Sequence, residues 1–355
     1  MKPNLRDFKH ICILQTAFIG DVILSLPLVE VIRKNHPDAK ISFVSTPVSA
    51  GITSGIPSID SIITYDKRGI RRGFDGIRHT AQLIKEFKTD LIISCHRSFR
   101  STLLCVLLKP IHSVGFDNAS FSILHSSRVE YLKNKHEIER NLELLKAFND
   151  YEDLVIDDHS VNFDISYQDR MFVDGILLSN AINPNKLVSI FPGSIWPTKR
   201  WKKEHFSALI IKLKNEGFEC ILNGSEDDAS ICSEIAQSTG AKSFCGMLSL
   251  AQSVYLISLS KLLVTNDSAP SHMANLVRTP TLTIFGPTSP IFGFAPRALN
   301  SRNISLEELS CRPCEIHGNV QCPIGTHDCM EKLMPEDVLK SCFEIIGIKP
   351  VKSFE

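Results

Sequence analysis

The chain has 355 residues, and its 39 Lys and Arg are matched by 39 Asp and Glu, so no global charge argues for nucleic acid and any anion recognition must come from local clusters. Its length points to two domains, each able to bury a core, and its apolar stretches, such as Leu103 to Leu108, are too short to span a bilayer. The first seven residues lack the apolar core and cleavage site of a secretory signal, which makes the cytosol the expected compartment, with the eleven cysteines reduced and Cys12, Cys95 and Cys220 packed as small core residues.

In chain order, His10 to Gln15 reads as a first strand, and Thr16 to Asp21 turns it into a helix with Val22, Leu26, Val29 and Ile32 on its apolar face. Asp21 then lies at a strand's carboxyl end, the edge where open α/β sheets bind ligands, although the same residue type also caps helices and both readings stay open. Strands at Lys40 to Ser45, Ser61 to Tyr65 and Leu91 to Ser94, with a helix from Asp75 to Lys88, continue a βαβ series. Two loops on the Asp21 side carry cations: Lys67, Arg68, Arg71 and Arg72 in one, Arg97 and Arg100 in the other. Arg forks suit phosphate and carboxylate, so these loops predict an anionic acceptor, such as a phosphorylated glycolipid at a membrane surface. Val114 to Asp117 ends a further strand, and His136 to Leu145 is periodic as a helix. The acidic stretch from Tyr151 to Tyr167 reads as an interdomain linker.

The second half reopens the pattern with a helix from Gln168 to Asn180 and a strand from Leu187 to Phe191, turned by Pro192-Gly193-Ser194. Lys199 follows that turn, placed to neutralise a diphosphate if it is not simply a surface residue. A helix through Phe206, Leu209, Ile210 and Leu213, a strand from Phe218 to Gly224, and the acids Glu226, Asp227 and Asp228 come next; an acid after the second strand of such a unit either accepts from ribose hydroxyls or caps a helix. After a helix from Ser249 to Ile257, the strand Lys261 to Val264 runs through Asn266 and Asp267 into a helix opening at Ser268, Ala269 and Pro270. Unpaired amides at such a start form an anion seat, to which His272 is placed to donate unless it merely packs. Thr281 to Thr288 brings another strand and Gly-Pro turn to the same edge, and a final helix spans Pro335 to Ile346. No Walker A or GxGxxG spacing occurs, which argues against a kinase or a dehydrogenase.

Cys311, Cys314, Cys322 and Cys329 form a compact set in a loop rich in Pro, Gly and His. In a reducing compartment this suggests structural Zn²⁺ held by thiolates, with His317 or His327 able to replace one sulfur, or else free thiols or an occasional disulfide. A four-cysteine site is closed, so a catalytic metal is not expected.

Taken in order, Ile19-Gly20-Asp21-Val22 with Leu26-Pro27, Asp66-Lys67-Arg68-Gly69, His96-Arg97-Ser98, Pro192-Gly193-Ser194 with Lys199-Arg200-Trp201, Thr265-Asn266-Asp267-Ser268 with His272, Phe285-Gly286-Pro287-Thr288 and Cys329-Met330 resemble the lipopolysaccharide heptosyltransferases of glycosyltransferase family 9, over nearly the whole chain. The resemblance implies an α/β GT-B fold, two Rossmann-like domains facing a central cleft: an acceptor-binding domain at 1–165, a donor-binding domain at 166–330, and a C-terminal helix at 331–355 returning toward the first. It implies an inverting transfer of heptose from ADP-heptose to the inner-core acceptor, with no cofactor needed for the chemistry. Asp21 would be the general base, and Lys199 with the amides after Asp267 would stabilise the departing diphosphate. Ser194, Asp267, Ser268, Ala269 and His272 would face the donor phosphates, Asp228 the ribose and the backbone near Leu248 the adenine. Lys67, Arg68, Arg71, Arg97 and Arg100 would read the anionic acceptor on the cytoplasmic face of the inner membrane. Ala269-Pro270 departs from the Gly that many members carry there. Another nucleotide sugar, or a non-catalytic nucleotide-sugar binder stabilised by zinc, are the competing readings.

Overall fold

The structure is a computed structural model that describes residues 2–67, 73–156 and 159–347. The chain divides after Asp164 into two compact units. In the first, the strands are β1 (His10–Leu14), β2 (Lys40–Ser45), β3 (Ser61–Thr64), β4 (Leu91–Ser94), β5 (His112–Phe116) and β6 (Ser127–Val129), and the helices are α1 (Ile19–Asn35), α2 (Pro47–Thr53), α3 (Gly73–Glu86), α4 (Phe99–Leu108) and α5 (Glu137–Glu143). The sheet order is β3-β2-β1-β4-β5-β6, with every pair parallel. Ile13 pairs with Phe43 on one side and Ile93 on the other, and all three are fully buried, as a strand covered on both faces requires.

The second unit repeats the plan. It holds α6 (Tyr167–Ser179), β7 (Leu187–Phe191), α7 (Lys203–Asn215), β8 (Glu219–Leu222), α8 (Ala229–Thr239), β9 (Lys242–Ser243), α9 (Leu250–Ser258), β10 (Leu262–Asn266), α10 (Ala269–Leu276), β11 (Thr281–Ile284), β12 (Arg302–Ile304), α11 (Asp328–Glu331) and α12 (Pro335–Ile346). Its parallel sheet runs β12-β11-β10-β7-β8-β9. In each sheet the strand order reverses beside the unit's first strand, between β1 and β4 and between β7 and β10. Loops leaving the carboxyl ends of those two strands diverge to opposite faces and leave a crevice.

Several expectations change. The C-terminal helix clusters with the second unit, where Val338, Leu339, Cys342 and Phe343 of α12 are buried in the core shared with α7 and β10. Part of the stretch read as a linker is strapped to α1, since Asn35 bonds both backbone groups of Val155 and Glu30 accepts from the Asn162 amide. Asp157 and Asp158 lie outside the described residues. Arg100, read as part of a loop, lies in the first turn of α4, whose N-cap Ser98 accepts from the Ser101 amide. Cys232 and Cys245 are joined, because β8, α8 and β9 bring their Cα atoms to 6.5 Å; nine cysteines remain free, with Cys12, Cys95 and Cys220 buried as anticipated.

Trp201 anchors the second core. Its indole is fully enclosed, meets Phe206 edge-on at 4.9 Å between centroids, and donates from Nε1 to the Leu333 carbonyl at 2.9 Å. Trp201→Ala should therefore destabilise this unit by about 3–5 kcal/mol, read as an earlier transition in urea.

Candidate active site

At the β1/β4 crevice the chain leaving β1 carries Asp21 into the first turn of α1. Its Oδ2 accepts from the Phe18 amide at 3.2 Å, so the carboxylate does cap the helix. It is nonetheless not an ordinary cap: burial and the negative charge of Glu137 push its pKa up to about 6, against the Phe18 amide and the Arg97 guanidinium, which act in the opposite direction. Glu137 opens α5, which packs on α1, and is held by Tyr131 Oη and by Arg140, each at 2.9 Å. Both members of the Glu137–Arg140 pair are buried.

Leaving β4, His96 joins the two strand ends. Its Nδ1 lies 2.9 Å from Thr16 Oγ1, 2.9 Å from Ser101 Oγ and 3.2 Å from Ser98 Oγ. Burial, then the charges of Lys67 and Arg97, push its pKa down to about 4, so the imidazole is neutral at physiological pH. Arg97 lies 4.0 Å over the Tyr131 ring. Arg100 is exposed and its charge acts on Tyr65, just past β3. Lys67, Arg97 and Arg100 thus belong to one cationic edge of this unit, while Arg68 and Arg71 lie outside the described residues.

At the β7/β10 crevice, Lys199 Nζ pairs with Asp267 Oδ2 at 2.6 Å, the two side chains being 11% and 8% exposed. Thr288, after β11, donates to the same oxygen at 2.6 Å. The Asp267 side chain fixes the lysine. Asn266 ties the turns together, accepting from the Trp201 amide at 3.0 Å and donating to the Pro192 carbonyl at 2.8 Å. The amides of Ser268 and Ala269, opening α10, have no partner among the described residues. His272 is buried in α10: burial pushes its pKa down to about 4, Asp267 opposing and Lys199 reinforcing, and its Nδ1 has no hydrogen-bond partner among the described residues.

Ser194 is buried and its Oγ accepts from the Trp196 amide at 3.3 Å. Of the three acids after β8, Asp228 is the one turned toward this edge. Ser225 Oγ and N donate to it at 2.7 and 2.9 Å, and a Cβ added to Gly193 would lie 2.0 Å from its Oδ1. Glu226 and Asp227 face solvent. The Leu248 side chain packs against the buried cluster that includes Phe244 and Leu256, and the nearby Gly246 amide donates to the Gly224 carbonyl at 3.0 Å, which brings this backbone beside the Asp228 turn.

The cysteine loop closes on the lysine turn. Cys311, Cys314, Cys322 and Cys329 line one small cavity together with Thr198 and His327. His327 is committed elsewhere through Nε2, which donates to the Thr198 carbonyl at 2.8 Å. His317 is exposed.

The sequence profile of glycosyltransferase family 9 (heptosyltransferase) matches residues 77–323. The chain belongs to this family. Among curated relatives of this heptosyltransferase, lipooligosaccharide heptosyltransferase 2 of Campylobacter jejuni is 24% identical over 93% of this chain and 96% of its own. Lipopolysaccharide heptosyltransferase 3 of Escherichia coli K12 is 27% identical over 77% and 81%. The crystal structure of a family 9 glycosyltransferase from Veillonella parvula superposes with TM-score 0.82 at 22% identity, covering 98% of each chain. ADP-heptose lipopolysaccharide heptosyltransferase II of E. coli gives 0.76 at 22%, over 95% and 98%. The family, the GT-B fold and heptosyl transfer as the activity are as the sequence led us to expect.

Sequence reading of this heptosyltransferase gave no site role to Thr16, Tyr131, Glu137 and Arg140 in the first unit, nor to Asn266 and Thr288 of the quoted motifs in the second. The signal for one group was the acid and base three apart in His136-Glu137-Ile138-Glu139-Arg140, a helix-face spacing that reads equally well as a solvated pair. Breaking the buried lysine pair leaves a charge without compensation, so Asp267→Ala should cost about 3–5 kcal/mol. The double variant Lys199→Met with Asp267→Leu should recover part of that loss, as measured by chemical unfolding.

Proposed function

We propose that this enzyme transfers heptose from ADP-heptose to an anionic lipopolysaccharide inner-core acceptor, with inversion and without a metal in the chemistry. Asp21 takes the proton of the acceptor hydroxyl as its oxygen attacks the anomeric carbon, and the bond from that carbon to the diphosphate breaks on the opposite face, which inverts the centre. ADP departs with the electron pair. Its charge is met by the Lys199 ammonium, the free amides of Ser268 and Ala269 at the positive end of α10, and the Ser194 hydroxyl. Asp228 accepts from the ribose, and the backbone near Leu248 meets the adenine edge. Lys67, Arg97 and Arg100, together with Arg68 and Arg71, read the acceptor's anionic groups. Among the described residues no helix is long and apolar enough to cross a membrane, and the acceptor's lipid would bring the enzyme to the cytoplasmic face of the inner membrane as a peripheral protein.

The observation that carries this reading is the fixed lysine beside two unpartnered amides at the β7/β10 crevice, where a diphosphate needs both a point charge and directed donors. The neutral-leaning Asp21 supports the catalytic half: a carboxyl lifted to about 6 is a stronger base than a solvated aspartate and is still ionised at neutral pH.

A thermal-stability screen of nucleotide sugars tests the donor, since a ligand bound only by the folded form raises Tm. ADP-heptose should stabilise and UDP-sugars should not; equal shifts would discard the donor assignment. Asp21→Asn should lower kcat by about 10²–10⁴-fold while ADP binding holds, whereas Lys199→Ala should weaken ADP by roughly ten- to a hundredfold. In the wild-type enzyme kcat/KM should fall as pH drops through about 6, because the protonated carboxyl has no base to offer. Removing the negative neighbour with Glu137→Gln should move that limb to lower pH, and removing the positive one with Arg97→Ala should move it higher.

A further inference from the structure

We propose that the four cysteines of the loop after β12 are the ligands of a thiophilic divalent cation of the Zn²⁺ class, and that binding it locks the turn carrying Lys199. Three observations within the second unit converge on this. Cys311, Cys314, Cys322 and Cys329 line a single small cavity, the ligand number and type of a closed structural site. The sulfur of Cys322 already accepts the His327 backbone amide at 3.4 Å, so a backbone donor from the following turn is directed at a sulfur that lines the cavity. The third is a buried cation. The Arg312 side chain is 4% exposed and donates to the carbonyls of Gly286, Leu306 and Thr288, while the carboxylate beside it, Glu307, is 3.9 Å away and 79% exposed. A guanidinium enclosed among neutral carbonyls lacks close compensation. Four thiolates around a divalent ion carry a net charge of −2 and supply it.

Among the described residues no group of three or more His, Cys, Asp or Glu is already arranged to hold an ion, so binding has to draw the sulfurs inward. Cys314 Sγ now donates its proton to the Cys311 carbonyl at 2.9 Å, and loss of that proton frees the sulfur to turn. Four protons leave to solvent as the four metal–sulfur bonds form, and nothing is oxidised or reduced.

The loop grips Lys199 from two directions. Thr198 exchanges hydrogen bonds with Asn319, accepting from its amide at 2.8 Å and donating from Oγ1 to its carbonyl at 2.8 Å, while His327 holds the Thr198 carbonyl. Gly318 lies against the Lys199 stem, where an added Cβ would be 3.1 Å from Cγ. From the other side Arg312 holds the Thr288 carbonyl, Thr288 holds Asp267, and Asp267 holds Lys199. Fixing the loop therefore fixes the ammonium.

The test uses the full-length protein purified under reducing conditions without chelator. Elemental analysis should find about one equivalent of zinc or iron per chain, lost in Cys322→Ser. Should that variant fail to fold, Co²⁺ added to chelator-treated wild-type protein should give the sulfur-to-cobalt charge-transfer absorption of tetrahedral thiolate ligation and render four thiols unreactive. Hydrogen exchange at the amides of Thr198 and Asn319 should slow on metal addition. A protein that carries no metal and takes up neither Co²⁺ nor Zn²⁺, or one whose uptake is unaltered in Cys322→Ser, overturns the site; uptake with unchanged exchange at those amides overturns the lock. None of these readouts depends on which sugar is transferred, so this proposal and the heptosyl-donor reading fail separately.

Discussion

One carboxylate oxygen organises the second unit's crevice. Asp267 Oδ2 receives the Lys199 ammonium and the Thr288 hydroxyl at 2.6 Å each, and those partners come from the chain after β7 and after β11, while Asp267 itself directly follows β10. Three loops that would otherwise scatter from neighbouring strands are pinned at one point. The pair is nearly enclosed, so its desolvation offsets much of its attraction, and net stability is not its main consequence. Its consequence is placement: a flexible four-carbon stem is held with its charge beside the opening of α10. The partial neutralisation of the ammonium is offset by the amides of Ser268 and Ala269 and the dipole behind them, which add positive potential without adding a titratable group.

The first unit treats its carboxylates in the opposite way. Asp267 has a cation against it and stays a scaffold. Asp21 has burial and a second carboxylate, Glu137, whose own charge is stabilised by Arg140 and Tyr131. The arrangement sets a buried carboxylate, paired with Arg140, where it makes proton uptake by Asp21 easier, while Arg97 limits the effect. Two aspartates, one after β1 and one after β10, thus sit in opposite settings, one against a cation and one against burial and a second carboxylate, a division that environment rather than residue type dictates.

Much of this was legible in the sequence because parallel strands announce themselves as short apolar runs, and the ligand edge follows from their direction. Asp21 and Lys199 were placed as candidates by counting from a strand's end, and Ser194 and Asp228 were singled out by the family resemblance. What the sequence did not reveal was pairing across loops far apart in the chain. Nothing in Lys199 or Asp267 alone announces a salt bridge across 68 positions, and for His272 the sequence left packing and anion contact both open, where the structure buries the ring. Short edge strands β6, β9 and β12 have too few residues to carry a period. The α4 start at Ser98 was hidden because the charged positions Arg97 and Arg100 resembled a loop, and the disulfide depended on the Cα separation that β8, α8 and β9 create.

The departure at Ala269-Pro270 is where sequence and backbone can be weighed directly. A glycine is required at a turn when φ must be positive or when a ligand needs the space of a side chain. Ser268 is extended, with φ −156° and ψ 175°, and residues 268–270 are absent from the positive-φ positions of the chain, so the backbone makes no demand that Ala269 and Pro270 fail to meet. Pro270, in the first turn, brings a fixed φ suited to a helix start and gives up an amide. The lost donor is the cost, and it falls at the position where the remaining amides are two and where the lysine held by Asp267 stands ready to carry more of the anion's charge. Where the glycine-bearing pattern would offer one more backbone donor, the anion seat proposed for this chain leans more on one ammonium, and the interactions that hold Lys199 come from the chain after three strands and from the cysteine loop.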